Sequence, residues 1–162
     1  MERKEIRIGF TEYEDIAELE KDDAVLLEAA RRQTQNAYAP YSGFAVGAAA
    51  RMPSGALIYG SNQENASFPA GLCAERVLLS NAASLFPGQP IQALAISYNH
   101  NGHTNDEPIS PCGICRQALQ EYEHRVEQGI KLILAGQSGK IMVLDKASDL
   151  LPLPFKGDRL IG

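Results

Sequence analysis

Three cysteines open two helix-like segments of this chain, and their placement limits the folds that it can adopt. Cys73 begins the segment Cys73–Leu85, while Cys112 and Cys115 fall in the first turn of the segment Cys112–Tyr122; both have the periodicity of amphipathic helices. Residues three apart on a helix share a face, so the two later sulfurs can hold one ion. An odd number of cysteines is a poor disulfide framework, and the C-x-x-C spacing indicates metal or redox chemistry. A fold that uses all three cysteines must bring two helix starts to one point.

Zinc is the metal that best fits this set. The partial positive charge of a helix N-terminus favours thiolate over thiol, and thiolates are preferred zinc ligands. A structural zinc is closed by four protein ligands, whereas this chain offers three cysteines and no obvious fourth ligand. We therefore expect one zinc per chain with a position left for water, as in catalytic sites. Glu75, two residues after Cys73, is the candidate proton shuttle.

The remaining segments alternate between helix and strand. In chain order the expected elements around the two cysteine-bearing helices are a helix from Asp22 or Asp23 to about Ala37, and strands at Phe44–Met52, Ala56–Ser61, Ile91–Tyr98, Ile130–Ala135 and Lys140–Leu144. Strands that alternate with helices predict an α/β fold with one sheet sandwiched between helix layers. The length suits one domain, expected over residues 23–162.

Two polar segments stand apart from this pattern. Residues 1–22 are rich in charge and are expected to form an N-terminal extension, with a short strand at Ile6–Phe10. The segment Asn99–Pro108 contains no apolar residue and is expected to be an exposed loop.

Charge and hydropathy exclude several classes of protein. The formal net charge is −5, which disfavours a protein that grips nucleic acid through its phosphates. No apolar run approaches the roughly 20 residues that span a bilayer. The first residues, MERKEIRIG, lack the apolar stretch of a secretory signal, so we expect a cytoplasmic protein without membrane partners.

Several motifs together carry a resemblance to a known family. They are C-A-E-R from Cys73, P-C-G-I-C-R-Q from Pro111, Y-A-P-Y-S-G-F-A-V-G-A-A over Tyr38–Ala49, N-Q-E-N-A from Asn62, and L-L-P-L-P-F over Leu150–Phe155. A ligand, one residue, a Glu and a later P-C-x-x-C is the described pattern of zinc nucleobase deaminases. The set resembles the small homotetrameric zinc-dependent cytidine deaminases over most of residues 25–162.

This resemblance implies a fold and a reaction. The fold would be a three-layer α/β/α sandwich with a mixed five-stranded sheet. The reaction would be hydrolytic deamination of cytidine or deoxycytidine to uridine or deoxyuridine and ammonia, as in pyrimidine salvage. The enzyme would be a homotetramer with shared active sites, acting on a free nucleoside.

The resemblance also implies substrate-binding residues. Asn62 and Glu64 would hydrogen-bond the ribose hydroxyls, and a loop role for both polar residues is the alternative. Phe44 would line the base pocket, although the hydrophobic core is an equally good place for it and for Phe68. The backbone of Ala74 would donate to the pyrimidine carbonyl oxygen.

Three further roles follow from the same resemblance. Glu75 would move protons between water, the ring nitrogen N3 and the leaving amine. Arg76 would hydrogen-bond the ligand sulfurs and offset the charge of three thiolates, unless it only forms a surface salt bridge. Phe155 would reach into the site of a neighbouring subunit and stack on the base.

Two departures from the family pattern keep other functions open. The extension and the loop Asn99–Pro108 are longer than the family needs, and the loop leads directly to two of the predicted zinc ligands. A deaminase of another aminopyrimidine nucleoside, such as blasticidin, would share the zinc site and differ in the pocket. A polynucleotide editor is disfavoured by the negative charge. A structural zinc module would need a fourth protein ligand, and a C-x-x-C redox protein would not need Glu75.

Overall fold

A computed structural model of the chain describes residues 1–157 and Leu160, and this part forms one six-stranded sheet with helices on both faces. The elements are β1 (Thr11–Tyr13), α1 (Lys21–Gln33), β2 (Phe44–Arg51), β3 (Leu57–Ser61), α2 (Ala74–Leu85), β4 (Ala93–His100), α3 (Gly113–Val126), β5 (Lys131–Ala135) and β6 (Ile141–Leu144), with short 3₁₀ turns between some of them. The last part of the predicted domain, residues 158, 159, 161 and 162, lies outside the described residues.

The sheet is mixed, in the order β1-β6-β5-β4-β2-β3. β4 runs parallel to β5, and α3 makes the crossover between them, because parallel neighbours need a long connection. All the other strand pairs are antiparallel. β4 is therefore central, and its apolar sequence is buried on both faces.

The two faces of the sheet carry separate hydrophobic cores. One core joins Leu78 of α2 and Leu119 of α3 to strand residues such as Leu94. The other joins Leu26 of α1 to strand residues such as Ala95. Neighbouring residues of β4 thus point into opposite cores, as the period of two along a strand requires. This arrangement confirms the predicted α/β/α sandwich, with α1 on one side and α2 and α3 on the other.

Two glycines let helices lie unusually close to the sheet. A Cβ atom on Gly47 would lie 2.3 Å from the carbonyl oxygen of Ala30 in α1. A Cβ on Gly60 would lie 2.3 Å from the carbonyl oxygen of Ala74 in α2. Since α2 begins just after Cys73, the missing side chain at Gly60 fixes the depth at which the cysteine-bearing turn sits.

The N-terminal region corrects two details of the sequence prediction. The sheet has six strands where five were expected, because Thr11–Tyr13 pairs antiparallel with β6 and covers its edge. The strand expected at Ile6–Phe10 is wrong: these residues are exposed and have no strand partner in the described structure. None of the helices in the described residues has the length and apolar character that a bilayer span requires.

α1 begins at Lys21, before the start predicted at Asp22 or Asp23, so Asp23 lies inside the helix. Asp23 is 1% exposed, and its carboxylate forms ion pairs with Arg51, 3.1 Å away on β2, and with Lys131 on β5. The hydrogen bond to Asp23 is the largest cause of the raised pKa of Lys131. α1 is thus joined to two strands by a buried carboxylate.

Candidate metal centre and adjoining pocket

The starts of α2 and α3 converge and bring the three cysteines together. Cys73 is the N-cap of α2, Cys112 is the N-cap of α3, and Cys115 lies in the first turn of α3. The Sγ atoms of Cys73 and Cys112 are 3.7 Å apart, those of Cys112 and Cys115 are 3.5 Å apart, and all three lie within 4.8 Å of one another. In the part of the chain that the structure describes, no His, Asp or Glu joins this group.

The geometry of the group fits a zinc ion. Tetrahedral sulfur ligands at about 2.3 Å from zinc are separated by about 3.8 Å, close to the distances seen here. Thiolates are also the donors that zinc selects. The three cysteines that the sequence predicted as ligands therefore lie close enough together to bind one metal ion.

Cys73 and Cys115 affect each other's protonation. A hydrogen bond with the thiol of Cys115 lowers the pKa of Cys73 to about 6, against the opposing effect of burial, and the positive charge of Arg76 adds a smaller lowering. The sharing of a proton with Cys73 and the burial of its own thiol raise the pKa of Cys115. Cys73 therefore ionises more readily than an ordinary cysteine, and a bound cation would favour the thiolate form of all three residues.

Glu75 occupies the first turn of α2 beside the sulfurs. Its residue is only 5% exposed, and burial raises the pKa of its carboxyl group above the usual range. It nevertheless lines the pocket next to the cysteines. A carboxyl group that gains and loses its proton more nearly at neutral pH is suited to proton transfer.

A cavity of about 710 Å³ opens in front of the cysteines. Its lining includes Tyr41, Ser42, Phe44, Val46, Asn62, Gln63, Glu64, Asn65, Phe68, Gly71, Leu72, Cys73, Ala74, Glu75, Ile109, Ser110 and Cys112. The predicted residues Phe44, Asn62, Glu64 and Ala74 therefore share one pocket with two of the cysteines and with Glu75. The size suits a small organic ligand.

The polar residues that follow β3 are held by the backbone around them. Asn62 accepts a hydrogen bond from the Val46 amide through Oδ1 (2.8 Å) and donates through Nδ2 to the Phe44 carbonyl (2.9 Å). Glu64 accepts hydrogen bonds from the Ser42 hydroxyl (2.5 Å) and from the Tyr41 amide (2.8 Å). The hydrogen bond from Ser42, more than that from Tyr41, lowers the pKa of Glu64. Both side chains are thus fixed at the pocket rim before any ligand arrives.

Two predicted residues lie away from this pocket. Arg76 lines a separate groove between α2 and α3, from which its charge still lowers the pKa of Cys73. Phe155 is 69% exposed, and its backbone carbonyl accepts a hydrogen bond from Gln117 Nε2 (2.9 Å). Phe155 is absent from the lining of its own chain's pocket.

Sequence reasoning missed several residues that build the site. Tyr41 and Ser42 belong to a segment that it did quote, and Ser42 supports both Glu64 and the amide of Phe44. Arg116 carried no signal beyond its place after Cys115: its Nε donates to the Pro111 carbonyl (2.8 Å), and Nη1 donates to the Leu150 carbonyl (3.1 Å). It fixes the turn that precedes Cys112.

Comparison with known proteins places these features in one family. The family described as the cytidine and deoxycytidylate deaminase zinc-binding region matches residues 20–128. Cytidine deaminase of Halalkalibacterium halodurans is 35% identical over 137 residues, which cover 85% of this chain and 96% of that protein. Cytidine deaminase of Mycobacterium tuberculosis is 40% identical over 93 residues, which cover 57% of this chain and 65% of that protein.

Solved structures give the same result. A crystal structure of cytidine deaminase from Burkholderia pseudomallei superposes with a TM-score of 0.70 at 38% identity and covers 81% of this chain and 97% of that one. The structure of cytidine deaminase from Mycobacterium tuberculosis superposes with a TM-score of 0.65 at 31% identity and covers 85% of this chain and 99% of that one. The likeness therefore extends over nearly the whole length of those proteins.

Proposed function

We propose a function from one premise: this chain belongs to the cytidine and deoxycytidylate deaminase family. It is a zinc-dependent cytidine deaminase, which converts cytidine or deoxycytidine and water to uridine or deoxyuridine and ammonia. The observation that carries this function is the placement of Cys73, Cys112 and Glu75 on one nucleoside-sized pocket, with Cys115 completing the metal-ligand set.

One zinc ion per chain would be held by the three cysteine sulfurs. When bound, zinc supplies the Lewis acidity that makes water a nucleophile near neutral pH. The chain favours metal binding through the positive charge of two helix starts and of Arg76. This charge stabilises the thiolate form of the cysteine ligands.

Glu75 is the proton carrier of the reaction. Its carboxylate takes a proton from the attacking water and passes it to the ring nitrogen N3, so that the C4 carbon accepts the oxygen. Glu75 then takes the proton of the new hydroxyl on C4 and gives it to the amino nitrogen; the C4–N bond breaks, ammonia leaves and the C4 carbonyl forms. The raised pKa of the buried carboxyl supports this role, because the group must hold and release a proton in the same cycle.

Four residues of the pocket bind and orient the nucleoside. Asn62 and Glu64 engage the ribose hydroxyls, Phe44 packs against the base, and the amide of Ala74 donates to the pyrimidine carbonyl oxygen. Their common place on the pocket wall supports this assignment. The lowered pKa of Glu64 keeps its carboxylate charged and able to accept hydroxyl protons.

The active enzyme is a homotetramer in which Phe155 serves the pocket of a neighbouring subunit. Its exposure, and its absence from the lining of its own chain's pocket, support a role toward another copy. Static light scattering tests the assembly: a mass near four chains is expected, and a fully active monomer would exclude shared sites. The three unpaired cysteines agree with a location in the cytoplasm, where thiols stay reduced.

The direct test of this function is the loss of ultraviolet absorbance when the purified protein is added to cytidine. We expect turnover that stops after treatment with a zinc chelator and returns with added zinc. Deoxycytidine and blasticidin, assayed in parallel, define the preferred substrate. Turnover of blasticidin without turnover of either nucleoside would replace the proposed substrate while leaving the reaction type intact.

A further inference from the structure

We propose that His100, supported by His103, is a positioning residue that holds the ring of Phe44 in the wall of the nucleoside pocket. The inference deepens the proposed function and rests on it. It also gives a purpose to the polar loop Asn99–Pro108, which the proposed reaction does not use.

Phe44 and His100 face each other across the sheet. They are directly paired in the register of β2 and β4, and their ring centroids are 5.4 Å apart at an interplanar angle of 61°. Phe44 also stacks on Tyr98, with centroids 5.1 Å apart and the rings 12° from parallel. Cross-strand and diagonal pairs of this kind are the contacts that fix side chains on a sheet. The ring of Phe44 is therefore held by two aromatic neighbours and also lines the pocket.

His103 extends this set of rings outward. Its imidazole stacks on that of His100, with centroids 3.9 Å apart and an interplanar angle of 12°. A tight turn brings them together: the His103 amide donates to the His100 carbonyl (3.2 Å), and Gly102 has the positive φ of 80° that such a turn favours. His100 is thus confined between Phe44 and an exposed second ring.

The loop that carries the two histidines is itself fixed. The Asn105 side chain accepts a hydrogen bond from the His100 amide (2.8 Å) and donates to the carbonyl of His103 (3.2 Å). Its backbone carbonyl accepts a hydrogen bond from Ser138 (3.1 Å), and it lies so close to Gly136 that a Cβ there would be 2.1 Å from the carbonyl oxygen. The loop is anchored to the turn between β5 and β6, so it can transmit a defined position to Phe44.

The position of Phe44 matters for the residues proposed to bind ribose. Its carbonyl accepts the Asn62 amide, and its own amide donates to the Ser42 hydroxyl (3.0 Å), which also donates to Glu64. Loss of the His100 ring would leave space beside Phe44 and free its side chain to turn away from the base. We expect this to weaken binding of the nucleoside and to leave proton transfer by Glu75 intact.

The test compares three variants, His100→Ala, His100→Phe and His103→Ala, with the wild-type tetramer. Thr104→Ala, which changes an exposed residue of the same loop, is the control. We expect His100→Ala to raise KM for cytidine about three- to tenfold, the range of an aromatic pair, with kcat within about twofold. His100→Phe should restore KM, His103→Ala should cause a smaller rise, and Thr104→Ala should cause none. Binding of uridine by calorimetry should weaken in the same order.

The outcomes separate this inference from the proposed function. Turnover of cytidine with unchanged KM and unchanged uridine affinity in His100→Ala overturns the positioning role alone. A fall of about three- to tenfold in kcat with no change in KM also overturns it. So does a folded His100→Phe variant that does not regain nucleoside binding.

The wild type itself separates the two proposals. If the wild type binds uridine but does not deaminate cytidine, a weaker uridine affinity in His100→Ala supports the inference although the proposed reaction fails. Absence of both turnover and nucleoside binding overturns the two together. If His100→Ala does not fold, His100→Phe and His103→Ala decide the matter, and unchanged KM in His103→Ala then counts against the stack.

Discussion

The Sγ atom of Cys73 lies 3.7 Å from the Sγ atom of Cys112, although 39 positions separate the two residues in the chain. Each residue is the N-cap of its own helix, and the contact exists only because α2 and α3 pack side by side on one face of the sheet. A metal held there joins two helices, so its binding is coupled to the folding of that layer.

Removal of one ligand should therefore empty the site. We expect Cys112→Ala to contain well under one zinc per chain after dialysis, as measured by elemental mass spectrometry. The reason is that two sulfur ligands bind zinc too weakly to retain it during dialysis. Thr104→Ala, an exposed change in the loop that precedes α3, should keep one zinc per chain. An unchanged metal content in Cys112→Ala would mean that this cysteine is not a ligand.

Glu75→Gln should separate metal binding from chemistry. The amide has the size of the carboxyl group and cannot carry the proton, so we expect zinc content near one per chain and a fall in kcat of at least about a hundredfold. Ultraviolet assay of cytidine turnover and metal analysis of the same sample test this. Wild-type rates in the variant would remove Glu75 from the mechanism.

Gly60→Ala should damage the fold and the metal site together. Its Cβ would meet the Ala74 carbonyl oxygen at 2.3 Å and the Leu78 amide nitrogen at 2.6 Å, so α2 must move outward and take Cys73 with it. We expect a loss of roughly 1–3 kcal/mol in the free energy of unfolding, together with faster loss of zinc to a chelator. Gly9→Ala, where a Cβ would have no neighbour within 4 Å, is the matched control and should change neither quantity.

Asp23→Asn should destabilise the chain by about 3 kcal/mol in urea unfolding at pH 7, because it leaves Arg51 beside a buried group that no longer carries charge. The pH dependence has a defined sign. Asp23 raises the pKa of Lys131, so this ion pair stabilises the folded state fully below the unfolded pKa of about 10.4, and the stabilisation is lost as the pH rises through the folded pKa. The wild type should lose more stability than Asp23→Asn between pH 9 and pH 12; parallel curves would contradict this origin.

The metal site could be predicted from the sequence because its determinants are local. The spacing of Cys112 and Cys115, the position of Glu75 after Cys73, and helix periodicity together specify which side chains share a face. Only the convergence of the two helix starts depends on tertiary structure. It could be predicted because three cysteines can bind one ion only if the two helix starts lie side by side. The central strands were predictable for a similar reason, since a long apolar run such as β4 has to be covered on both faces.

The other features depend on register and on close approach, which have no local signal. The pairing of Phe44 with His100 follows from the alignment of β2 with β4, and a shift of one residue would have turned one ring away. The ion pairs of Asp23 had no local signal, because its partners Arg51 and Lys131 are distant in the sequence. The proposed roles of Arg76 and Phe155 remain predictions, because they concern the bound metal and a second copy of the chain.

The short strand Thr11–Tyr13 has a consequence for the behaviour of the chain in concentrated solution. It occupies the hydrogen-bonding groups of β6, and the ion pair between Glu12 and Lys140 (3.1 Å) reinforces the pairing. A shortened chain that starts after Tyr13 would expose β6 as an edge strand. The backbone groups of its four consecutive apolar residues, Ile141–Leu144, could then pair with a strand of another molecule. We expect such a chain to keep its pocket and to aggregate more readily than the full chain, because β1 covers this edge of the sheet.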